Sequence, residues 1–208
     1  MQERSCVKLF ISLRNGILLR KTNKFINKVG ENKMRIHNDN LLIRDAKVED
    51  ASLLGQWWND GRVMAHAGFP NGLGITHEEV CQVIRKRSSD ADRLLMMEAA
   101  ALPIGEMNYR SLGNGTAEIG IKICDISKQD KGYGKSLLSM LIHTLFTEYG
   151  YDKIVLDTNA DNKRAQHVYE KLGFQRVSTR ENAWKNQLNE WQTAIDYELQ
   201  KKNFISQL

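Results

Sequence analysis

Along the chain the spacing of apolar and polar positions changes period several times, and each change marks an element. Residues 40–45 are a short apolar run that predicts a first strand. Leu54, Trp57 and Trp58 then recur at i, i+3 and i+4, one face of a helix that Asn59-Asp60-Gly61 stops. Residues 63–74 hold Gly68, Pro70, Gly72 and Gly74 and read as loop. Thr76 with Glu79 forms a capping box that opens a helix through Val80, Val83 and Ile84. Strands follow at 93–99 and 104–109, and Asn114-Gly115 turns the chain into a third at 116–124. That strand alternates strictly: Ala117, Ile119, Ile121 and Ile123 on one side, Glu118, Gly120 and Lys122 on the other.

After a polar loop, Leu137, Leu138, Leu141, Ile142, Leu145 and Phe146 form the buried stripe of a helix that ends at Gly150. Residues 153–158 are the next strand. The order strand, loop, helix, strand predicts a right-handed crossover and a parallel neighbour. A second helix covers 163–172 and stops at Gly173, and 175–177 and 191–199 close the domain as strands. The sum is an α/β-type domain, helices on a mixed sheet.

The 208 residues suit one domain, and 41% apolar with 26% charged residues is ordinary for a globular protein. No apolar run is long enough to span a bilayer. The charge is unevenly spread. Residues 1–33 carry eight Lys/Arg against Glu3 and Glu31, a net of +6, so the chain's +5 leaves −1 for 34–208. The basic character belongs to an N-terminal extension, and no nucleic-acid partner is required by the domain. The extension reads as a loosely held segment, an amphipathic transit or membrane-surface segment, or an arm for membrane or RNA. Met34 offers a second start, so the domain is expected over 34–201, with 202–208 a disordered tail. Cys6, Cys81 and Cys124 are odd in number and lack C-x-x-C spacing, and the five histidines show no ligand pair. They suggest neither a disulfide framework nor a metal site, and point to a reducing cytoplasm.

The chemistry gathers around residues 128–136. Gly132 and Gly134 sit in a polar loop between a strand and a helix, where glycine lets backbone approach a ligand. The first helical turn adds unpaired N–H groups, giving an anion seat suited to a pyrophosphate. Gly134-Lys135-Ser136 mimics the end of a P-loop, but that motif needs glycine where Gln129 stands.

Gln129-x-x-Gly132-x-Gly134 instead resembles the acetyl-CoA loop of the GNAT N-acetyltransferase superfamily. Downstream, residues 162–174 are similar to its signature N-x-x-A-x-x-x-Y-x-K-x-G-F, carried by Asn162, Ala165, Tyr169, Lys171, Gly173 and Phe174. The resemblance implies a central, mostly antiparallel sheet with one parallel pair flanked by helices, and acetyl transfer to a primary amine by direct attack. It implies that backbone amides of Gln129, Lys131, Gly132, Gly134 and Lys135 hold the acetyl-CoA pyrophosphate. Ile121 and Ile123 would lie along the pantetheine, one N–H polarising the thioester carbonyl. Asn162 would bind the pantetheine arm and Tyr169 would protonate the departing thiolate, each having a plainer role open to it as helix cap or core aromatic.

An alkyl ammonium of pKa roughly 10 must lose a proton before it attacks. Glu118 is the expected base, with Glu106 and Asp125 behind it. Trp57 and Trp58 line the acceptor pocket or pack in the core. The Trp57-Trp58-Asn59-Asp60 stretch resembles the Rim-type branch, which acetylates protein N-termini. Aminoglycoside and polyamine acetyltransferases, or a non-catalytic acetyl-CoA-binding module, are the alternatives, and the chain is expected to be a monomer or homodimer.

Overall fold

The structure, a computed structural model, describes residues 33–208. The basic extension expected over 1–33 thus lies outside the described residues except for Lys33. Strands β1 (Arg35–Asn38) and β2 (Leu41–Asp45) are followed by helices α1 (Ala51–Trp58), α2 (Gly61–Met64) and α3 (His77–Lys86). Then come β3 (Ser88–Ser89), β4 (Asp92–Ala99), β5 (Leu102–Gly113) and β6 (Thr116–Ile123). The second half holds α4 (Tyr133–Thr147), β7 (Lys153–Asn159), α5 (Lys163–Lys171), β8 (Gln175–Lys185) and β9 (Trp191–Gln200). The strands form one sheet in the order β1-β2-β4-β5-β6-β7-β9-β8, with β3 on β4. Every pairing is antiparallel except β6 with β7. The expected mixed sheet with one parallel pair is what the chain forms.

The core lies where the alternation of β6 pointed. Ala117 and Ile119 are buried with Leu137, Leu141 and Leu145 of α4, Leu156 of β7, and Tyr169 and Leu172 at α5. The opposite face, bearing Leu94, Met96 and Glu106, is covered by α1 and α3. No helix among the described residues is long and apolar enough to cross a membrane.

Four local expectations change. Before the first expected strand the chain makes an extra one, β1, through a turn at Asp39 with φ +49°. Its four residues Arg-Ile-His-Asn are too few and too polar to give a period. The 63–74 loop begins with helix α2, which Asp60 caps by accepting from the Arg62 N–H. Strand β8 runs to Lys185 rather than stopping near 177. It is an edge strand with almost every side chain exposed, so it carries no apolar alternation to be read.

The end of the chain is tied down, not loose. Phe204 packs edge-on against Phe146 at 5.9 Å. The Ile205 N–H donates to Leu172 O, and the Gln207 N–H donates to Ser139 Oγ. One aromatic pair and two hydrogen bonds are worth about 2 kcal/mol together. Ending the chain at Lys201 should therefore lower the midpoint of thermal unfolding by roughly 4–8 °C. An unchanged midpoint would show that the tail adds nothing to the packed domain.

Candidate active site

The site begins where two strands part. β6 and β7 are in register only at Thr116, Ala117 and Glu118, opposite Lys153, Ile154 and Val155. Beyond those rungs β6 stays with β5 and β7 stays with β9, so a gap opens between residues 119–123 and 156–159. The Cys124 N–H goes to Ile104 O on β5. Alternation along the strand then turns the N–H groups of Ile121 and Ile123 the other way, into the gap. Both side chains are only half-buried because β7 has left them. The Ile123 carbonyl accepts from Gln129 Nε2 at 2.9 Å, so the glutamine of the loop supplies the bond that a strand would have made.

The glycine loop is held from both ends. Asp125 accepts from the Ser127 N–H and starts a single turn. Gln129 bonds Ile123, and Arg164 of α5 reaches back 35 residues to Gln129 Oε1 at 3.1 Å and to Asp130. Gly132 caps α4 with φ +82°, a left-handed conformation that an L side chain resists. Gly134 differs. A Cβ there would meet nothing nearer than Ile123 Cγ1 at 4.0 Å, so folding does not need a glycine. The space is kept for something that approaches the first turn of α4, where Lys131 and Lys135 add positive charge. The loop therefore fits a pyrophosphate.

Asn162 caps α5, its Oδ1 accepting from the Ala165 N–H at 3.2 Å, which leaves the amide NH2 for a ligand carbonyl. Two turns on, Tyr169 is buried among Phe174 and Tyr197, with ring centroids 5.8 and 5.7 Å away. Burial pushes the Tyr169 hydroxyl well above the ordinary tyrosine range, with the nearby Asp157 charge and Tyr197 adding to it. The hydroxyl is thus a protonated donor at any physiological pH.

On the other face of the sheet the two candidate carboxylates part company. Glu118 lies at the closed end, beside the rungs that join β6 to β7, and Arg110 Nη2 donates to it at 2.5 Å. Four residues along, about 13 Å at the rise of a strand, Lys122 stands level with Ile121 and Ile123. Glu106 is directly opposite Lys122 on β5 and is 3% exposed. Lys122 Nζ donates to Glu106 Oε1 at 2.7 Å, and Trp58 Nε1 donates to the same oxygen at 3.3 Å. Both donors converge on Oε1. Trp58 is thus buried yet bonded to the site, while Trp57 beside it is half-exposed. Asp125 is spent on capping. The structure brings Ile121, Ile123, Gln129, Gly132, Gly134, Asn162 and Tyr169 to one gap and leaves Glu118 away from its open end. Arg164 was missed because it occupies a variable place in the motif, although its charge in the first turn of α5 was visible.

A splayed parallel pair with a glycine loop at one side is the build of an acyl-CoA-dependent transferase. The acetyltransferase (GNAT) domain family matches residues 40–175, and the chain belongs to it. It is an acyltransferase with acetyl-CoA as co-substrate. It is 27% identical over 173 residues to the aminoglycoside N(6')-acetyltransferase type 1 of Klebsiella pneumoniae, covering 74% of this chain and 85% of that protein. A kanamycin resistance protein of Rhizobium radiobacter is 35% identical over 65 residues, 31% of this chain and 60% of that one. Among solved structures, spermidine N-acetyltransferase from Vibrio cholerae, in complex with CoA and spermine, superposes with a TM-score of 0.72 at 22% identity, covering 80% of this chain and 98% of that one. A GNAT-family acetyltransferase from Bacillus anthracis gives 0.69 at 21%, covering 81% and 99%. At those identities the superpositions speak for the fold. None of these four is named for a protein N-terminal substrate, so the family is the level at which the resemblance holds, above any Rim-type branch.

The two glycines should separate folding from binding. Gly132→Ala should cost about 1–2 kcal/mol of stability through its left-handed backbone. Gly134→Ala should leave stability equal or raised by up to about 1 kcal/mol, alanine being the better helix former. It should weaken acetyl-CoA binding roughly tenfold or more by filling the approach to the loop, an effect read by titration calorimetry. Wild-type affinity in Gly134→Ala would remove the case for the loop as cofactor seat.

Proposed function

We propose that this chain transfers acetyl from acetyl-CoA to a primary amine of a small polycationic acceptor, of the aminoglycoside or polyamine kind. The observation that carries the reading is Glu106, a buried carboxylate level with the free amides of Ile121 and Ile123, on the face away from α4. A fixed negative charge there attracts an ammonium and gives its proton somewhere to go, directly or through one water.

In the proposed roles the loop amides from Gln129 to Lys135 and the Lys131 and Lys135 charges hold the pyrophosphate of acetyl-CoA. Asn162 meets the pantetheine. The N–H groups of Ile121 and Ile123 hydrogen-bond the thioester oxygen as negative charge gathers on it. Glu106 takes the ammonium proton, directly or through one water, Glu118 being tied to Arg110 at the far end of the strand. As the amine nitrogen bonds the acetyl carbon and the carbon–sulfur bond breaks, Tyr169 gives its proton to the thiolate; the nitrogen sheds its second proton to water, and Tyr169 is reprotonated from solvent. Trp57 and Trp58 border the acceptor side.

A protein N-terminal acceptor has less behind it. A peptide needs an open groove, whereas the acceptor face here is bridged: Gln187 on the β8–β9 turn donates through its backbone N–H to Gly68 O and through Nε2 to Gly72 O. The aminoglycoside relatives, matched over most of the chain, lean the same way. A non-catalytic binding module would have no use for a buried, protonated Tyr169 beside an acid across the gap. The free, buried Cys81 and Cys124 suit the reducing cytoplasm.

Thiol release from acetyl-CoA, measured with kanamycin, spermidine and an alanine-led peptide, should show turnover on one of the first two above that on the peptide. Preference for the peptide would reverse the reading. With the preferred amine, Glu106→Gln and Tyr169→Phe should each lower kcat on the order of 10²–10⁴-fold. Glu118→Gln should lower it far less. A Glu118→Gln loss equal to that of Glu106→Gln would return the base to Glu118.

A further inference from the structure

The acceptor face has a wall that no catalytic strand supplies. Trp184 is opposite Gln192 in the β8–β9 ladder, so the two side chains share a face. Gln192 Oε1 accepts from Asn159 Nδ2 at 2.6 Å, at the open end of β7. Asn159 shares its face with Asp157 and Val155, and Val155 is opposite Glu118 in the parallel register. Trp184 therefore stands on the side of the sheet that bears Glu106 and Lys122, at the mouth of the gap.

Its place is fixed from above. Gly68, with φ +94°, closes the 65–67 turn, and a Cβ there would stand 2.2 Å from Trp184 Cζ3 and 2.7 Å from Cη2. The indole lies flush on bare backbone, and only glycine leaves it room. The 65–67 turn in turn lies against β7. Gln187, three residues on, clasps the same loop. Its backbone N–H donates to Gly68 O at 2.9 Å, its Oε1 accepts from the Asn71 N–H at 2.9 Å, and its Nε2 donates to Gly72 O at 2.9 Å. Three hydrogen bonds across more than a hundred residues hold the hairpin tip on the loop, with one edge of the indole against Gly68 and the ring half-exposed.

A half-exposed, immobilised indole on the face that bears Glu106 suits one kind of ligand group. Its π-face attracts a second ammonium of a polycation, or the C–H face of an amino sugar, and being already ordered it costs little entropy to use. We propose that Trp184, held by the Gln187 clasp, is the wall that selects acceptors carrying more than the reacting amine. The proposal rests on the small-polycation reading above and names the residue that gives it selectivity.

The test compares kcat/KM for kanamycin with that for 1,3-diaminopropane at saturating acetyl-CoA, in wild type, Trp184→Ala, Trp184→Phe and Gln187→Ala. The kanamycin-to-diamine ratio should fall on the order of 3- to 30-fold in Trp184→Ala, the range that cation–π contacts span. It should recover in large part in Trp184→Phe and fall in Gln187→Ala, with KM for acetyl-CoA unchanged throughout. An equal loss on both amines, or a parallel rise in KM for acetyl-CoA, would make the ring a fold element only and overturn the proposal. An unchanged ratio overturns it as well. If Trp184→Ala does not fold, the ratio in Gln187→Ala decides alone. A wild type that ignores kanamycin and acetylates spermidine ends the aminoglycoside reading, and the same ratio is then taken on spermidine. A wild type that acetylates only the peptide overturns both.

Discussion

Everything in this domain follows from the parting of β6 and β7 after three rungs. A parallel ladder that continued would spend the amides of Ile121 and Ile123 on β7 and leave a closed sheet with nothing to bind. Parting them exposes strand edge in the middle of a domain, which is costly because backbone groups away from water need partners. The fold meets part of that cost with side chains. Gln129 satisfies the Ile123 carbonyl from the loop, and Arg164 holds Gln129 in place from α5. The N–H groups are left for the ligand. With the Ile123 carbonyl already taken by Gln129, the edge offers the N–H groups of Ile121 and Ile123, which suits an extended molecule carrying carbonyl oxygen, as a pantetheine arm does.

In the proposed mechanism the gap also separates the two proton transfers. Tyr169 sits with Leu156, Phe174 and Tyr197 on the α4 side of the sheet, and Glu106 sits with Lys122 and Trp58 on the other. The proposed acid and base therefore lie on opposite faces of one sheet, in different surroundings. Burial among aromatic rings keeps Tyr169 protonated, ready for a thiolate. A lysine and an indole N–H hold Glu106, the carboxylate proposed to receive the ammonium proton. No single pocket could give both groups what they need, since the apolar surroundings that protonate a phenol would protonate a carboxyl too.

The sequence was informative wherever periodicity or spacing was strong. Strict alternation in β6, the apolar stripe of α4 and the Asn162–Phe174 signature placed the sheet, the core and the cofactor side. It was uninformative where a single residue shifts register. Counting back from the Asn114-Gly115 turn, a regular hairpin pairs Gly113 with Thr116 and would set Glu106 opposite Ile123. The bulge between Ser111 and Gly113 moves the pairing by one, to Lys122, and so sets Glu106 beside an ion-pair partner on the acceptor face. No residue type announced that shift, so the pairing of Glu106 with Lys122 could not be read beside the visibly polar Glu118. β8 hid for a related reason: an exposed edge strand has no buried side to alternate, so Trp184 at its end carried no signal of where it would lie.

The roof over the acceptor face shows how the two halves of the chain divide the work. The groups proposed to hold the cofactor come from residues 121–169 and follow a motif. The acceptor side is assembled from α1, the 65–74 loop and the β8–β9 tip, which meet through Asn59, Gly68 and Gln187. Asn59 locks Ile75 by two hydrogen bonds of 2.8 Å and so anchors the loop that Trp184 leans on. The tip lies more than a hundred residues from the other two pieces in sequence, and their fit depends on tertiary packing rather than on any local pattern. In the proposed reading, acceptor choice changes through the loop and the hairpin tip while the parting strands stay as they are.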